Sequence, residues 1–126
     1  MELTINSKSE IENFEQDRIF QGSDDYNKIQ LYAPFQEDDI DFRIAFRLPD
    51  NTILGGGVTP IEMTFISYDA DNELGLWELS LDTTYTEQWG YTKFSIYGRT
   101  TTDSKILATQ IVEYYVEESI DMTPFE

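Results

Sequence analysis

The amino-acid sequence predicts an all-β protein, an antiparallel immunoglobulin-like β-sandwich of about seven to eight strands with little helix. Runs in which apolar and polar residues alternate, which is the period of a β-strand, recur along the chain. Turn-forming residues separate these runs at roughly the 8–12-residue spacing of sandwiches and barrels. With 126 residues, of which 40% are hydrophobic, the chain is long enough to bury the core of one domain.

Residues 1–17 are polar and acidic, and we interpret them as an N-terminal arm or an edge strand, because Leu3 and Ile5 alternate with polar neighbours. Residues 18–118 form the predicted sandwich domain, and residues 119–126 form a C-terminal tail. Within the domain, Ile19 and Phe20 make a short apolar step, and a strand over residues 28–33 ends at Pro34 or lies at a sheet edge.

The clearest strand runs over residues 41–48, with the sequence DFRIAFRL. Its apolar residues alternate with Arg43 and Arg47, so one face is buried and the other faces water. These two arginines are expected to neutralise nearby carboxylates. Pro49, Asp50 and Asn51 supply the fixed φ, the side-chain hydrogen bonds and the left-handed conformation of a tight turn, after which residues 52–54 return as the second strand of a hairpin.

Four later segments carry strand patterns, over residues 61–68, 76–81, 91–97 and 106–116. The last is the longest strand candidate, and its apolar residues fall on both faces, so it is expected to lie centrally or against another subunit. Asp82 or Thr83 is expected to cap one helical turn before Gly90. The predicted core consists of Phe42, Ile44, Phe46, Met63, Phe65, Trp77, Leu79, Leu81, Phe94, Ile96, Ile111 and Val112.

Composition restricts the chemistry of the chain. Cysteine and histidine are both absent, so disulfides, thiolate chemistry and zinc sites of the ordinary type are excluded. Asp and Glu number 25 against 8 Lys and Arg, which gives a net charge of -17. Such a charge repels phosphate backbones and anionic lipids, so neither nucleic acid nor a membrane is expected as a partner. No run approaches the roughly 20 apolar residues of a membrane span.

Two acidic segments suggest calcium at first sight. Residues 37–41 contain four carboxylates, but consecutive acids on an extended loop point in different directions. Residues 69–75 begin like an EF-hand loop, yet Leu74 stands where glycine is required and Ser80 where a bidentate Glu is required. A polar hairpin loop is the better interpretation of this second segment. We therefore expect no metal and no other cofactor.

A family resemblance appears in the order of the strand and turn motifs. These motifs are Ile19-Phe20-Gln21-Gly22-Ser23-Asp24, Lys28-Ile29-Gln30-Leu31, Asp38-Asp39-Ile40-Asp41 leading into Phe42-Arg43-Ile44-Ala45-Phe46, Leu48-Pro49-Asp50-Asn51-Thr52, Trp77-Glu78-Leu79, Gly90, and the final strand through Tyr114 and Val116. In this order they resemble the N-terminal domain of tailed-bacteriophage baseplate upper proteins.

The resemblance implies a virion structural protein that is assembled in the host cytoplasm. It would be a β-sandwich adaptor that docks in a tail or baseplate, or decorates a capsid, and connects to fibre or receptor-binding components. The partners would be other virion proteins, in a symmetric homo- or hetero-oligomeric assembly. Because large amphipathic residues on both sides of a strand need cover, the predicted interface consists of Tyr91, Lys93, Tyr97, Tyr114 and Tyr115.

Two other functions compete with this one. An enzyme without His or Cys would depend on carboxylates, as a glycosidase does, but Glu78 and Glu113 are explained as outward-facing strand residues. We therefore expect no enzymatic activity. A carbohydrate-binding module is the alternative, since aromatic rings offer stacking faces to sugars. The candidate rings are Tyr26, Tyr32, Tyr68, Tyr85, Trp89, Tyr91, Tyr97, Tyr114 and Tyr115.

Overall fold

Two β-sheets packed face to face form the chain in a computed structural model, which describes residues 1–57 and 59–120. The first sheet has the strand order β2-β1-β4-β9-β8, and its strands are β1 (Glu2–Ile5), β2 (Ile11–Glu15), β4 (Asn27–Ala33), β8 (Thr64–Asp69) and β9 (Leu74–Leu81). The predicted tail from residue 121 onward lies outside the described residues.

The second sheet has the order β3-β12-β10-β5-β6, with β11 also paired to β10 and β7 also paired to β5. Its strands are β3 (Ile19–Phe20), β5 (Ile40–Arg47), β6 (Ile53–Leu54), β7 (Ile61–Glu62), β10 (Gly90–Thr100), β11 (Ile106–Ala108) and β12 (Val112–Glu117).

The predicted all-β sandwich is confirmed, and helix is limited to a 3₁₀ turn (Glu37–Asp39) and one turn of α-helix, α1 (Thr83–Thr86), in the described residues. The described residues form twelve strands rather than the predicted seven or eight. The additional ones are short strands, since β3, β6, β7 and β11 have only two or three residues each. As expected, Asp82 caps α1, with its Oδ1 accepting a hydrogen bond from the Thr84 N–H at 2.9 Å.

The sequence predicted antiparallel sheets, whereas both sheets in the structure are mixed. β1 pairs in parallel with β4, and β3 pairs in parallel with β12. Parallel neighbours cannot be joined by a tight hairpin. Between β1 and β4, the chain passes through β2 and β3. Residues 1–17 thus belong to the sandwich, where β1 lies inside the first sheet and β2 forms its edge.

The first strands are held in place at the amino end of the chain. Leu3 and Ile5 are fully buried, as their alternation with polar residues indicates. The amino group of Met1 donates hydrogen bonds to Asp17 Oδ2 and to the Lys28 carbonyl oxygen, both at 2.7 Å. These contacts fix the start of β1 beside β4.

The hairpin predicted after β5 is present. The Leu48 N–H closes it by donating a hydrogen bond to the Thr52 carbonyl oxygen at 2.9 Å. The Thr52 N–H in turn donates to Asp50 Oδ1 at 2.9 Å. Asn51 has a φ of 71°, the left-handed conformation that asparagine tolerates better than most residues. β6 then pairs with the end of β5.

The predicted strand over residues 61–68 is in fact two strands that belong to different sheets. β7 pairs with β5 in the second sheet, whereas β8 pairs with β9 in the first. The change occurs at Met63, whose side chain is buried and whose N–H donates to the Phe42 carbonyl oxygen at 3.0 Å. The predicted polar hairpin loop between β8 and β9 is confirmed, and Asp69 caps it by accepting hydrogen bonds from Asn72.

The predicted strand over residues 106–116 is also interrupted, by a β-bulge. Phe94 pairs with Val112 and Tyr97 with Ala108, so three steps along β10 face four steps along its partner. Thr109 bridges the gap, because its hydroxyl oxygen accepts a hydrogen bond from the Ile96 N–H at 3.0 Å. The extra residue turns Ile111 outward, and its 64% exposure contradicts its predicted place in the core.

Trp77 lies where the two sheets meet. Its ring contacts Phe42 of the second sheet and Phe65 of the first, with centroid distances of 4.7 and 5.2 Å. The other predicted core residues are buried or half-buried in the same cluster, apart from Ile111. Burial also includes hydrophobic residues that the sequence prediction omitted, namely Met1, Leu3, Ile5, Ile19, Ile29, Leu31, Ala33, Ile40, Leu48, Tyr114 and Val116.

Candidate interaction surface

The outer face of the second sheet is formed by the outward side chains of its three long strands, and it contains most of the predicted interface. Along β10, buried residues alternate with exposed ones, and Tyr91, Lys93 and Tyr97 all point outward. Tyr115 of β12 lies directly opposite Tyr91 in the strand register. The structure therefore brings four of the five predicted interface residues onto one surface.

Tyr114, the fifth predicted interface residue, lies on the other side of β12, so this assignment is wrong. Because side chains alternate along a strand, Tyr114 points inward together with Val112 and Val116 and is fully buried. Its hydroxyl donates a hydrogen bond to the Tyr85 carbonyl oxygen at 3.1 Å. Burial raises the pKa of the Tyr114 hydroxyl far above its ordinary value.

Tyr91 and Tyr115 form an exposed aromatic pair. Their ring centroids are 5.0 Å apart at an interplanar angle of 65°, an edge-to-face arrangement. The side chains are 59% and 36% exposed, respectively. Each ring supports the other on regular strands, so the pair offers a large preformed contact area at little further cost in conformational entropy.

Cations are concentrated on this face in an otherwise acidic chain. Arg43 and Arg47 point outward from β5, and Lys93 and Arg99 point outward from β10. They are four of the eight lysines and arginines in the sequence. Arg43 lies 3.5 Å from a carboxylate oxygen of Glu62, as predicted from the sequence. Among the described residues, Arg47 forms no such ion pair.

Shallow depressions run along the face between β10 and β5. One has a volume of about 190 Å³ and a floor that includes Ala45 and Ser95, which are paired across the strands. Ile53 and Ile111 also line it, and they are 54% and 64% exposed. The outward position of Ile111 results from the bulge, for which the alternation of apolar and polar residues gives no signal.

The residues considered for other functions are spread over the molecule. Glu78 belongs to β9 in the first sheet and Glu113 to β12 in the second, so the two carboxylates do not converge. Tyr85 packs against Phe46 at 4.6 Å, which removes it from the exposed rings. Trp89 is 52% exposed, in the loop before β10.

Over residues 1–57 and 59–120, the acidic side chains form no group of three or more placed to hold a metal ion. In the same part of the chain, neither the length nor the apolar character needed to cross a bilayer is found in any helix.

Comparisons with known proteins give similarities to solved structures. No protein-family model matches the chain, and no curated protein sequence matches it. Among solved structures, the N-terminal domain of phage TP901-1 ORF48 is similar, with a TM-score of 0.45 and 14% sequence identity. The alignment covers 92% of this chain and 96% of that chain.

Proposed function

We propose that the chain is a non-enzymatic structural protein of a bacteriophage particle. It acts as an adaptor that docks in the tail or baseplate, or on the capsid, through the outer face of the second sheet. The resemblance in motif order to baseplate upper proteins suggests the particle. The observation that supports docking is the exposed pair of Tyr91 and Tyr115 on the paired strands β10 and β12.

The composition of the outer face suits a protein interface. Tyrosine and arginine are enriched in the centres of interfaces and among the residues that contribute most to binding. Here Tyr91, Tyr97 and Tyr115 lie among Arg43 and Arg47, and all five side chains point outward. Because regular strands hold them, little ordering is required when a partner binds.

The test is Tyr115→Asp, with Tyr26→Asp as the matched control. Tyr115 is half-exposed, so aspartate should leave the fold intact by circular dichroism while placing a charge in the proposed contact. Tyr26 is 85% exposed in the loop before β4, a strand of the first sheet. We expect incorporation of Tyr115→Asp into particles to be lost and that of Tyr26→Asp to be retained. Normal incorporation of Tyr115→Asp would refute the docking surface.

Carbohydrate binding is the competing function. Tyr97 is 44% exposed and lies between two depressions of the outer face, where a sugar ring would find both a stacking surface and polar groups. A glycan-array screen of the isolated domain separates the two functions. Saturable binding of a glycan that is abolished by Tyr97→Ala would replace the adaptor proposal.

A further inference from the structure

We infer that the outer face of the second sheet receives a carboxylate-bearing segment of a partner protein, with a carboxylate held between Arg47 and Lys93. The inference rests on the proposed function, because it names the chemistry of the partner that docks on this face. It also has a test of its own, since an acidic peptide can be offered to the isolated protein.

The positions of Arg47 and Lys93 are the first reason. The two residues are directly paired across β5 and β10, and both side chains are exposed. Like charges opposite each other in a sheet repel and destabilise it. Glu113 is paired with Lys93 on the other side of β10, yet no carboxylate of the described residues lies within 4.0 Å of either cation.

Lys8 and Arg99 share this lack of a close ion pair, whereas the four other lysines and arginines each have one among the described residues. Arg18, Lys28, Arg43 and Lys105 each have a carboxylate oxygen within 4.0 Å. An anion from another molecule that lies between Arg47 and Lys93 would remove their repulsion and gain two charge-assisted hydrogen bonds.

Depressions on both sides of the cation pair indicate that the anion is part of a larger, partly apolar group. On one side the surface is lined by Leu48, Pro49 and Tyr91, and on the other by Ala45 and Ser95. The small side chains of Ala45 and Ser95 leave room above β5 and β10 for an apolar side chain that flanks the carboxylate. A polypeptide that alternates acidic and apolar residues fits this pattern, because its side chains on one face repeat every two residues.

The charge of the whole chain favours isolated carboxylates over a polyanion. A nucleic acid or an anionic bilayer would extend past the two cations and be repelled by the rest of the molecule, which has a net charge of -17. At physiological salt, charges separated by more than about 8 Å are largely screened. A protein segment with few carboxylates can therefore use Arg47 and Lys93 without strong repulsion from the distant acidic loops.

The experiment is a titration of the isotope-labelled protein, followed by NMR, with a short blocked peptide of alternating glutamate and tyrosine. We expect saturable shifts of the backbone amides around Arg47 and Lys93. Affinity should fall at least tenfold in Arg47→Glu/Lys93→Glu and in Arg47→Gln/Lys93→Gln. Lys8→Glu, which changes an exposed lysine in the turn between β1 and β2, is the control and should bind normally. The unfolding midpoint of Arg47→Gln/Lys93→Gln should equal or exceed that of the parent protein, because the repulsion between the two cations is gone.

Three results would overturn the inference: no shifts, shifts located on the first sheet, or equal binding of the same peptide with glutamine in place of glutamate. Particle incorporation separates this inference from the proposed function. If Arg47→Glu/Lys93→Glu is incorporated normally and Tyr115→Asp is not, docking on the face stands and the carboxylate partner is refuted. If both variants are incorporated normally, the proposed function fails and the inference fails with it.

Discussion

Replacing Tyr114 or Tyr115 by alanine tests the orientation of β12, because these adjacent tyrosines have opposite surroundings. Tyr114 is fully buried, packs against Phe94 at a centroid distance of 6.1 Å and donates a hydrogen bond to the Tyr85 carbonyl oxygen. Removing a buried aromatic ring costs about 3–5 kcal/mol. Tyr115 is half-exposed, and its main contact is one ring pair, worth about 0.5–1.5 kcal/mol at most.

The expected difference is large enough to measure by thermal or urea unfolding followed by circular dichroism. For a chain of 126 residues, 1 kcal/mol corresponds to roughly 4 °C in Tm, so Tyr114→Ala should lower Tm by about 12–20 °C and Tyr115→Ala by about 2–6 °C. Tyr114→Phe separates the hydrogen bond from the ring and should cost about 1 kcal/mol. Equal losses of stability for the two alanine variants would show that the assigned facing of β12 is wrong.

Two further predictions concern a close backbone approach and a loop carboxylate. A Cβ at Gly75 would lie 2.5 Å from the Phe35 carbonyl oxygen, so Gly75→Ala should cost about 1–3 kcal/mol in urea unfolding, whereas Gly56→Ala, with no atom within 4 Å, should be tolerated. Hydrogen bonds, first from the side chain of Asn72, lower the pKa of the Asp69 carboxyl below its ordinary 3.8. This contribution to stability is present above pH 3.8 and is lost as pH falls through the lower pKa of the folded state. Asp69→Asn should therefore be less stable than the parent at pH 7, with the difference disappearing toward pH 2; a constant difference would contradict this.

The sequence was sufficient for features that depend on local alternation. The buried face of β5 follows from a period of two, and the turn at Asn51 follows from residue types that adopt its backbone conformation. The same reasoning placed Tyr91 and Tyr97 outward on β10. These predictions succeed because the signal lies within a few neighbouring residues.

Features that depend on distant strands could not be predicted in this way. The bulge near Thr109 reverses which residues face inward, so Ile111 was placed in the core, although β10 holds it outside.

The error at Tyr114 has another cause, because both Tyr114 and Tyr115 suit an interface by residue type. Only the alternation imposed by Val112 and Val116 assigns Tyr114 to the interior.

The change of sheet at Met63 has a mechanical consequence. β7 and β8 are consecutive in the chain, yet one is bonded to β5 and the other to β9, so the main chain itself links the two layers. A pulling or shearing force applied to the outer face of the second sheet is therefore transmitted to the first sheet through covalent bonds as well as through side-chain packing. Sliding of one layer over the other would strain the hydrogen bond from the Met63 N–H to the Phe42 carbonyl oxygen, which lies at this crossing.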